Sequence, residues 1–323
     1  MALLEVEDLR TVFPAGEREF AAVEGVSFSV EQGEVLGLVG ESGSGKSVTA
    51  FSLMRLVSEP GVIAGGSIRF DGQDLLLLDA RGMRTIRGQH MSMIFQEPLS
   101  SLNPLYTIGQ QVMEPLRLHT RLSRRDARAR ALAMLDRVSM PDAARRFDDY
   151  PHQLSGGLRQ RVMIAMALVC GPKLLIADEP TTALDVTIQA NILDLLRELR
   201  KDFGMAILMI THDLGVIAEI ADRVNVMYAG RIVETAPVGA LFKAPAHPYT
   251  AGLIRSRPDL AVERARLLTI AGTVPAPHQM PHGCRFASRC TLADAACRGA
   301  LPAMRDLAPG HAAACIRPLH FHA

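Results

Sequence analysis

The chain has 323 residues, and its 35 Lys plus Arg nearly balance 34 Asp plus Glu, for a formal net charge of +1 at pH 7. That balance removes any electrostatic argument for nucleic acid, and the length allows one large domain or two around a substantial core. The start, Met1 to Asp8, lacks the basic and apolar regions of a signal peptide, and the longest apolar stretch, Val162 to Ala177, is broken by Gly171-Pro172-Lys173. A soluble protein without a membrane span is the expectation. Five cysteines without a secretory signal point to a reducing compartment, where clustered thiols are more often metal ligands than disulfides.

Residues 3–30 alternate apolar and polar side chains (Leu4, Val6, Leu9, then Val23, Val26, Phe28, Val30) and predict antiparallel strands with a turn at Phe13-Pro14-Ala15-Gly16. Phe13 on that turn fits a core residue at a strand end or an aromatic platform for a purine base; Phe20 is a weaker candidate for the same job. Val35 to Val39 reads as a buried parallel strand, and Ser47 to Val57 has helix-forming composition. Between them lies Gly40-Glu41-Ser42-Gly43-Ser44-Gly45-Lys46-Ser47. Strand, glycine-rich turn and helix make this G-x-x-x-x-G-K-[ST] pattern a phosphate cradle. The backbone N–H groups and helix N-terminus face the anion, Lys46 adds a point charge, and the Ser47 hydroxyl can ligate Mg²⁺. The chain is predicted to bind a nucleoside triphosphate.

Further on, Gly65 to Gly72 predicts a strand bounded by turns, and Met91 to Phe95 a short strand ending at Gln96, whose amide could hold Mg²⁺ or water or merely cap a loop. From Pro98 to Tyr150 strand patterns give way to helical periodicity (Ile108, Val112, Leu116; Ala131, Leu132, Leu135, Val138), with the arginines of Arg121 to Arg130 on a solvated face. Leu154-Ser155-Gly156-Gly157-Leu158-Arg159-Gln160 then opens an apolar helix, with Ser155 a candidate N-cap. Leu174 to Ala177 is a buried strand ending in Asp178 and Glu179. The first can hold Mg²⁺ through water and the second can polarise a water for in-line attack on a γ-phosphate. Asp185 precedes an amphipathic helix (Ile188, Ile192, Leu195, Leu199). Ala206 to Ile210 is another buried strand, followed by Thr211 and His212, a possible γ-phosphate donor or simply a turn residue. Val224 to Val233 reads as a hairpin turning at Ala229-Gly230. Beyond Pro237 the chain is loop-rich, with one short helix near Tyr249 to Ser256 and prolines at 245, 248, 258, 275, 277 and 281.

In order and spacing these motifs resemble the ATP-binding cassette (ABC) ATPases of membrane transporters from about Leu3 to Thr235. The resemblance implies an α/β fold: a RecA-like P-loop ATPase core with an antiparallel β subdomain, an inserted α-helical subdomain and a cysteine-bearing, loop-rich C-terminal extension. The corresponding boundaries are 1–96 and 155–236 for the nucleotide-binding core, 97–154 for the helical signature subdomain and 237–323 for the extension. It implies ATP contacts from Phe13, Ser42, Gly43, Ser44, Gly45, Lys46, Ser47 and Val48, with Mg²⁺ held through Ser47, Gln96 and Asp178. Glu179 becomes the general base and His212 the switch histidine, with Lys46, Gln96 and Asp178 completing the catalytic set. Asp185 becomes the D-loop acid. Ser155, Gly156, Gly157 and Gln160 belong to a signature that reaches the ATP of a partner cassette. With one set of motifs, the chain needs a second ABC ATPase subunit.

Glu97-Pro98-Leu99-Ser100-Ser101-Leu102-Asn103-Pro104, Ala246-His247-Pro248-Tyr249-Thr250 and the cysteine tail resemble the dipeptide/oligopeptide (and nickel) importer branch. That implies two transmembrane permease subunits, an extracytoplasmic solute-binding protein, no nucleic acid, and a peripheral place on the cytoplasmic face of the cell membrane. Cys284, Cys290, Cys297 and Cys315 have five, six and seventeen residues between them, which fits structural zinc poorly. Four thiolates on a core-poor segment suit a [4Fe–4S] cluster, as the branch implies, with zinc and free thiols or disulfides as the other readings and His282 and His311 as spare ligands. Cys170 reads as a small core hydrophobe. The rival expectation is a soluble cassette ATPase of DNA repair or ribosome function, usually marked by long insertions or two cassettes in one chain. A degenerate cassette is opposed by intact Lys46, Asp178, Glu179 and His212.

Overall fold

The structure, a computed structural model, describes residues 2–16, 18–97, 101–182, 184–256, 270–276 and 279–320. Pro98, Leu99 and Ser100 of the segment after Gln96, together with Ala183, Pro258 and Pro277, lie outside the described residues. The chain divides into two compact units. One gathers Ala2–Val30, Val35–Leu76 and the chain from Met209 onward; the other holds Glu31–Glu34 and Leu77–Leu208.

In the first unit, strands Leu4–Ala15 and Arg18–Val30 pair antiparallel, and Val62–Phe70 joins the free edge of the former. The alternation that predicts these strands breaks between Val6 and Leu9. There the register shifts and Asp8 takes a φ of +46°, so a bulge restores the inward phase and both side chains are buried. Val35–Val39, buried along its whole length, pairs parallel with Arg223–Tyr228. The hairpin to Arg231–Pro237 turns at Ala229 and Gly230, both with positive φ, as a tight right-twisted hairpin requires. Past it, helices Val238–Lys243 and Pro248–Arg255 precede the strands Arg305–Ala308 and His311–Ala313, which extend the sheet beyond Arg231–Pro237. Among its described residues the extension thus holds more helix and strand than the one short helix expected.

One carboxylate anchors that addition. Glu234 is fully buried, and its two oxygens accept from the Ala246 and His247 amides at 2.7 and 2.8 Å and from His311 Nε2 at 2.8 Å. A buried acid is tolerated because every partner is a donor.

In the second unit, Met91–Ile94 and Leu174–Asp178 form a fully buried parallel pair. Helices Ile108–His119 and Arg124–Arg137 fill residues where strand patterns vanish. The first begins with a reciprocal cap between Thr107 and Gln110, the second with Ser123 accepting from the Asp126 amide. Arg128 of the exposed arginine face lies 4.1 Å from the Phe147 ring centroid, so that face also covers an aromatic. Gly156–Leu168 and the long Val186–Phe203 follow; the latter buries Ile192, Leu195 and Leu199 of the expected stripe and also Leu193 and Leu196, while Ile188 is half-buried. Among the described residues no helix is long and apolar enough to cross a membrane.

Candidate functional site

The phosphate loop leaves a buried strand and enters helix Lys46–Leu53 through backbone that only glycine adopts easily. Gly45 stands at the helix N-cap with φ +103°, and a Cβ there would lie 2.4 Å from the Ala22 carbonyl. A Cβ on Gly40 would lie 2.1 Å from the Met227 carbonyl. With no capping side chain on Gly45 and no acid in the first turn, the helix N-terminus presents its partial positive charge to an anion. Lys46, 5 % exposed, folds back across the loop: Nζ donates to Gly40 O at 2.7 Å, Glu41 O at 3.0 Å and Ser44 Oγ at 3.4 Å. Ser44 is buried, Ser42 and Gly43 are exposed, and Ser47 and Val48 are half-buried in the first turn. This loop fits a triphosphate: its donors converge and its one ammonium is held by groups that a phosphate can replace.

Phe13 sits half-buried in the same unit. It is cross-strand paired with Phe20, their centroids 5.7 Å apart and the rings 22° from parallel. The two aromatics of the sequence reading are therefore one stacked pair.

The acids belong to the other unit. Asp178, 2 % exposed, ends its strand, and Glu179 follows with φ +47°, a left-handed conformation that costs an ordinary residue about 1–2 kcal/mol. Gln96, exposed at the end of the neighbouring strand, donates from Nε2 to Glu179 Oε2 at 3.0 Å. Thr182 Oγ1 donates to the same oxygen at 2.8 Å. Strand pairing thus brings Gln96 and Glu179 together; Thr182 is a contributor that sequence reasoning missed, readable only as a hydroxyl three residues downstream. His212 is exposed after strand Ala206–Thr211, and the adjacent Asp213 caps the next helix by accepting from the Gly215 amide at 2.6 Å.

Ser155 occupies the N-cap position of its helix, but its side chain makes no capping bond, contrary to expectation; Ser155 and Gly156 are exposed. Gly157 is buried against Ile188, which a Cβ would approach to 3.1 Å. Gln160 is 2 % exposed, and its amide nitrogen has no hydrogen-bond partner among the described residues. Asp185 is the helix cap, accepting from the Ile188 amide at 2.9 Å.

Cys284, Cys290, Cys297 and Cys315 line one cavity with Phe286 and His247, and none is disulfide-bonded. Burial pushes the Cys284 and Cys290 thiols up and the Cys315 thiol up to about 11, with neighbouring cysteines adding to each shift. Among the described residues no group of three or more His, Cys, Asp or Glu is arranged to hold a single metal ion. The four side chains line that cavity as thiols, the donor type that thiolate-ligated groups use. His311, a spare ligand by sequence, is committed to Glu234. Cys170 is half-buried and its thiol is pushed up by desolvation, as for a small apolar residue.

A glycine-built anion loop opening a helix, and paired acids at the end of a buried parallel strand, are the architecture of a P-loop nucleotide-binding protein. The family model described as ABC transporter matches residues 23–182, and that of the oligopeptide/dipeptide transporter C-terminal region matches residues 233–297. A Brucella abortus protein named as a peptide import ATP-binding protein is 54% identical over 98% of this chain and 97% of its own length. One so named from Brucella melitensis is 53% identical over 97% and 94%. Among solved structures, an ATP-binding cassette dimer in a post-hydrolysis state with ADP and Pi is 29% identical, with a TM-score of 0.66 over 73% of this chain and 98% of its own. A Clostridium perfringens cassette, part of the ABC transporter complex cbiONQ, is 28% identical, with a TM-score of 0.65 over 75% and 91%. The chain belongs to the ATP-binding cassette transporter family and is its ATP-binding, ATP-hydrolysing type of subunit.

Proposed function

We propose that the chain is the energy-coupling ATPase of a peptide importer, working at the cytoplasmic face of a cell membrane with two permease subunits, a solute-binding protein and a second cassette. The observation that carries the hydrolytic part is Glu179, held by Gln96 and Thr182 beside buried Asp178. Full-length identity to proteins named for peptide import supports the cargo class.

In this reading Lys46 exchanges its carbonyl partners for the β- and γ-phosphates, and the loop amides from Ser42 to Val48 cradle them. Ser47, Gln96 and Asp178 would hold Mg²⁺, which would supply charge neutralisation at the phosphoryl oxygens. Glu179 takes the proton of the attacking water while Gln96 fixes the carboxylate's direction, and His212 donates to the γ-phosphate. Phe13 offers its face to adenine. Ser155, Gly156, Gly157 and Gln160 meet the partner's ATP, and Asp185 lies at the same junction. Residues 1–96 with 155–236 act as the catalytic core, 97–154 as the signature subdomain and 237–323 as the extension. Cys284, Cys290, Cys297 and Cys315 would be the ligands of a [4Fe–4S] cluster, which would cross-link the extension.

Affinity purification of the tagged chain from detergent-solubilised membranes tests this assignment. Co-purification of two permeases, a second cassette and a solute-binding protein is expected. Recovery solely from the soluble fraction, with ribosomes or DNA, would replace it with the rival reading.

A further inference from the structure

Glu41, the second residue of the phosphate loop, is gripped from the far end of the chain. Arg289, next to Cys290 and only 5 % exposed at its side chain, forms a two-pronged ion pair with it: Nη1 to Oε2 at 2.6 Å and Nη2 to Oε1 at 2.9 Å. The remaining guanidinium contacts hold the arginine itself. Nε donates to Ala271 O at 2.9 Å, Nη2 to Gly272 O at 3.0 Å and Ile270 O at 3.4 Å, and Nη1 to Tyr228 OH at 3.5 Å. The Glu41 amide donates in turn to Tyr249 OH at 2.8 Å. The Glu41 carbonyl is one of the groups that hold Lys46. Side chain, amide and carbonyl of one loop residue are therefore all fixed, two of them by residues of the C-terminal region.

The electrostatics explain why such a grip matters. A triphosphate entering this loop meets a carboxylate fixed to the loop's own backbone, and an unpaired acid there opposes the ligand's charge. A bidentate arginine cancels that charge and orients it, which lysine does less well. We propose that Arg289 is a positioning residue of the nucleotide site: it neutralises Glu41 and fixes the Gly40–Glu41 backbone so that the loop and Lys46 receive a triphosphate. The inference rests on Gly40–Ser47 being the phosphate loop.

The test is equilibrium binding of Mg-ATP to the full chain, compared for wild type, Arg289→Ala, Arg289→Lys, Glu41→Gln and the Arg289→Ala/Glu41→Gln double variant, with Lys46→Ala as reference. Arg289→Ala is expected to weaken binding about tenfold, with Arg289→Lys in between. In the Glu41→Gln background the same change should cost less than about twofold, because the charge it neutralises is gone. Equal losses in both backgrounds, or none in either, would overturn the inference. If Arg289→Ala does not fold, Arg289→Gln keeps the volume and gives the same cycle. Lys46→Ala separates the two levels. If it binds as wild type, the phosphate-loop reading falls. If it loses binding while the cycle shows no coupling, Arg289 alone loses its role.

Discussion

Gln96 and Glu179 are 83 residues apart in sequence, yet the Gln96 amide donates to the Glu179 carboxylate at 3.0 Å. Their strands are parallel neighbours, so both chain exits fall on one edge of the sheet, where α/β proteins place their ligands. The strained φ of Glu179 aims the carboxylate, and two donors on one oxygen hold it there. On the proposed mechanism Glu179→Gln keeps the shape and removes the base. ATP binding should persist, while turnover in the assembled transporter should fall by about 10²–10⁴. Phosphate release under saturating ATP measures this, and undiminished turnover would remove Glu179 from the mechanism.

The loop glycines separate conformational strain from collision. Gly43 has φ +77° with nothing within 4 Å of a Cβ, whereas Gly45 has φ +103° and a backbone oxygen 2.4 Å away. Gly43→Ala should cost about 1 kcal/mol and leave ATP affinity within a few-fold. Gly45→Ala must displace the loop from Ala22 and should abolish detectable binding. Thermal melts with and without Mg-ATP distinguish the two; equal behaviour would mean that the close approach at Gly45 is not what shapes the loop.

Local sequence carried some of this and long-range pairing carried the rest. The Gly40–Ser47 loop is legible because strand, glycines and lysine must be contiguous to surround one anion. Helix Val186–Phe203 is legible because its apolar stripe and its cap at Asp185 are local too. The bulge at Asp8 is less so, since it depends on how two partner strands meet. Nothing near Glu41 announces Arg289, which lies 248 residues away. The commitment of His311 to Glu234 is equally hidden, because a histidine in a cysteine-bearing tail reads first as a ligand.

Cys290→Ser should leave ATP binding by the core intact and reduce iron in protein purified without oxygen. The four cysteines line one cavity, so on the proposed cluster assignment removing one takes away a ligand. Iron and sulfide analysis, with the visible absorption of the anaerobic protein, is the measurement. Wild type free of iron under those conditions would end the cluster assignment.

Glu234 supplies a stability test of the extension. Glu234→Ala leaves the Ala246 and His247 amides and His311 without their shared acceptor in a fully buried place. The expected loss is about 3–5 kcal/mol, felt first as release of strand His311–Ala313. Glu234→Gln should be milder, because it keeps one acceptor oxygen. Limited proteolysis or hydrogen exchange of residues 305–313 reads this directly, and protection equal to wild type in Glu234→Ala would show that the pairing of strands alone holds the extension.

His247 makes the same region sensitive to acid. It is 1 % exposed, its Nδ1 accepts from the Tyr249 amide at 3.1 Å, and burial pushes its pKa down from 6.5 to about 4. Below pH 6.5 the unfolded chain binds a proton that the folded chain refuses. Stability from this residue is therefore full above that value and declines as pH falls toward about 4, by roughly 3 kcal/mol in all. His247→Asn can still accept from the Tyr249 amide but cannot titrate. It should lower stability at neutral pH through lost packing while flattening the decline between pH 6.5 and 4. Hydrogen exchange of helix Pro248–Arg255 across that range compares the two; an equally steep decline in the variant would place the acid sensitivity elsewhere in the unit.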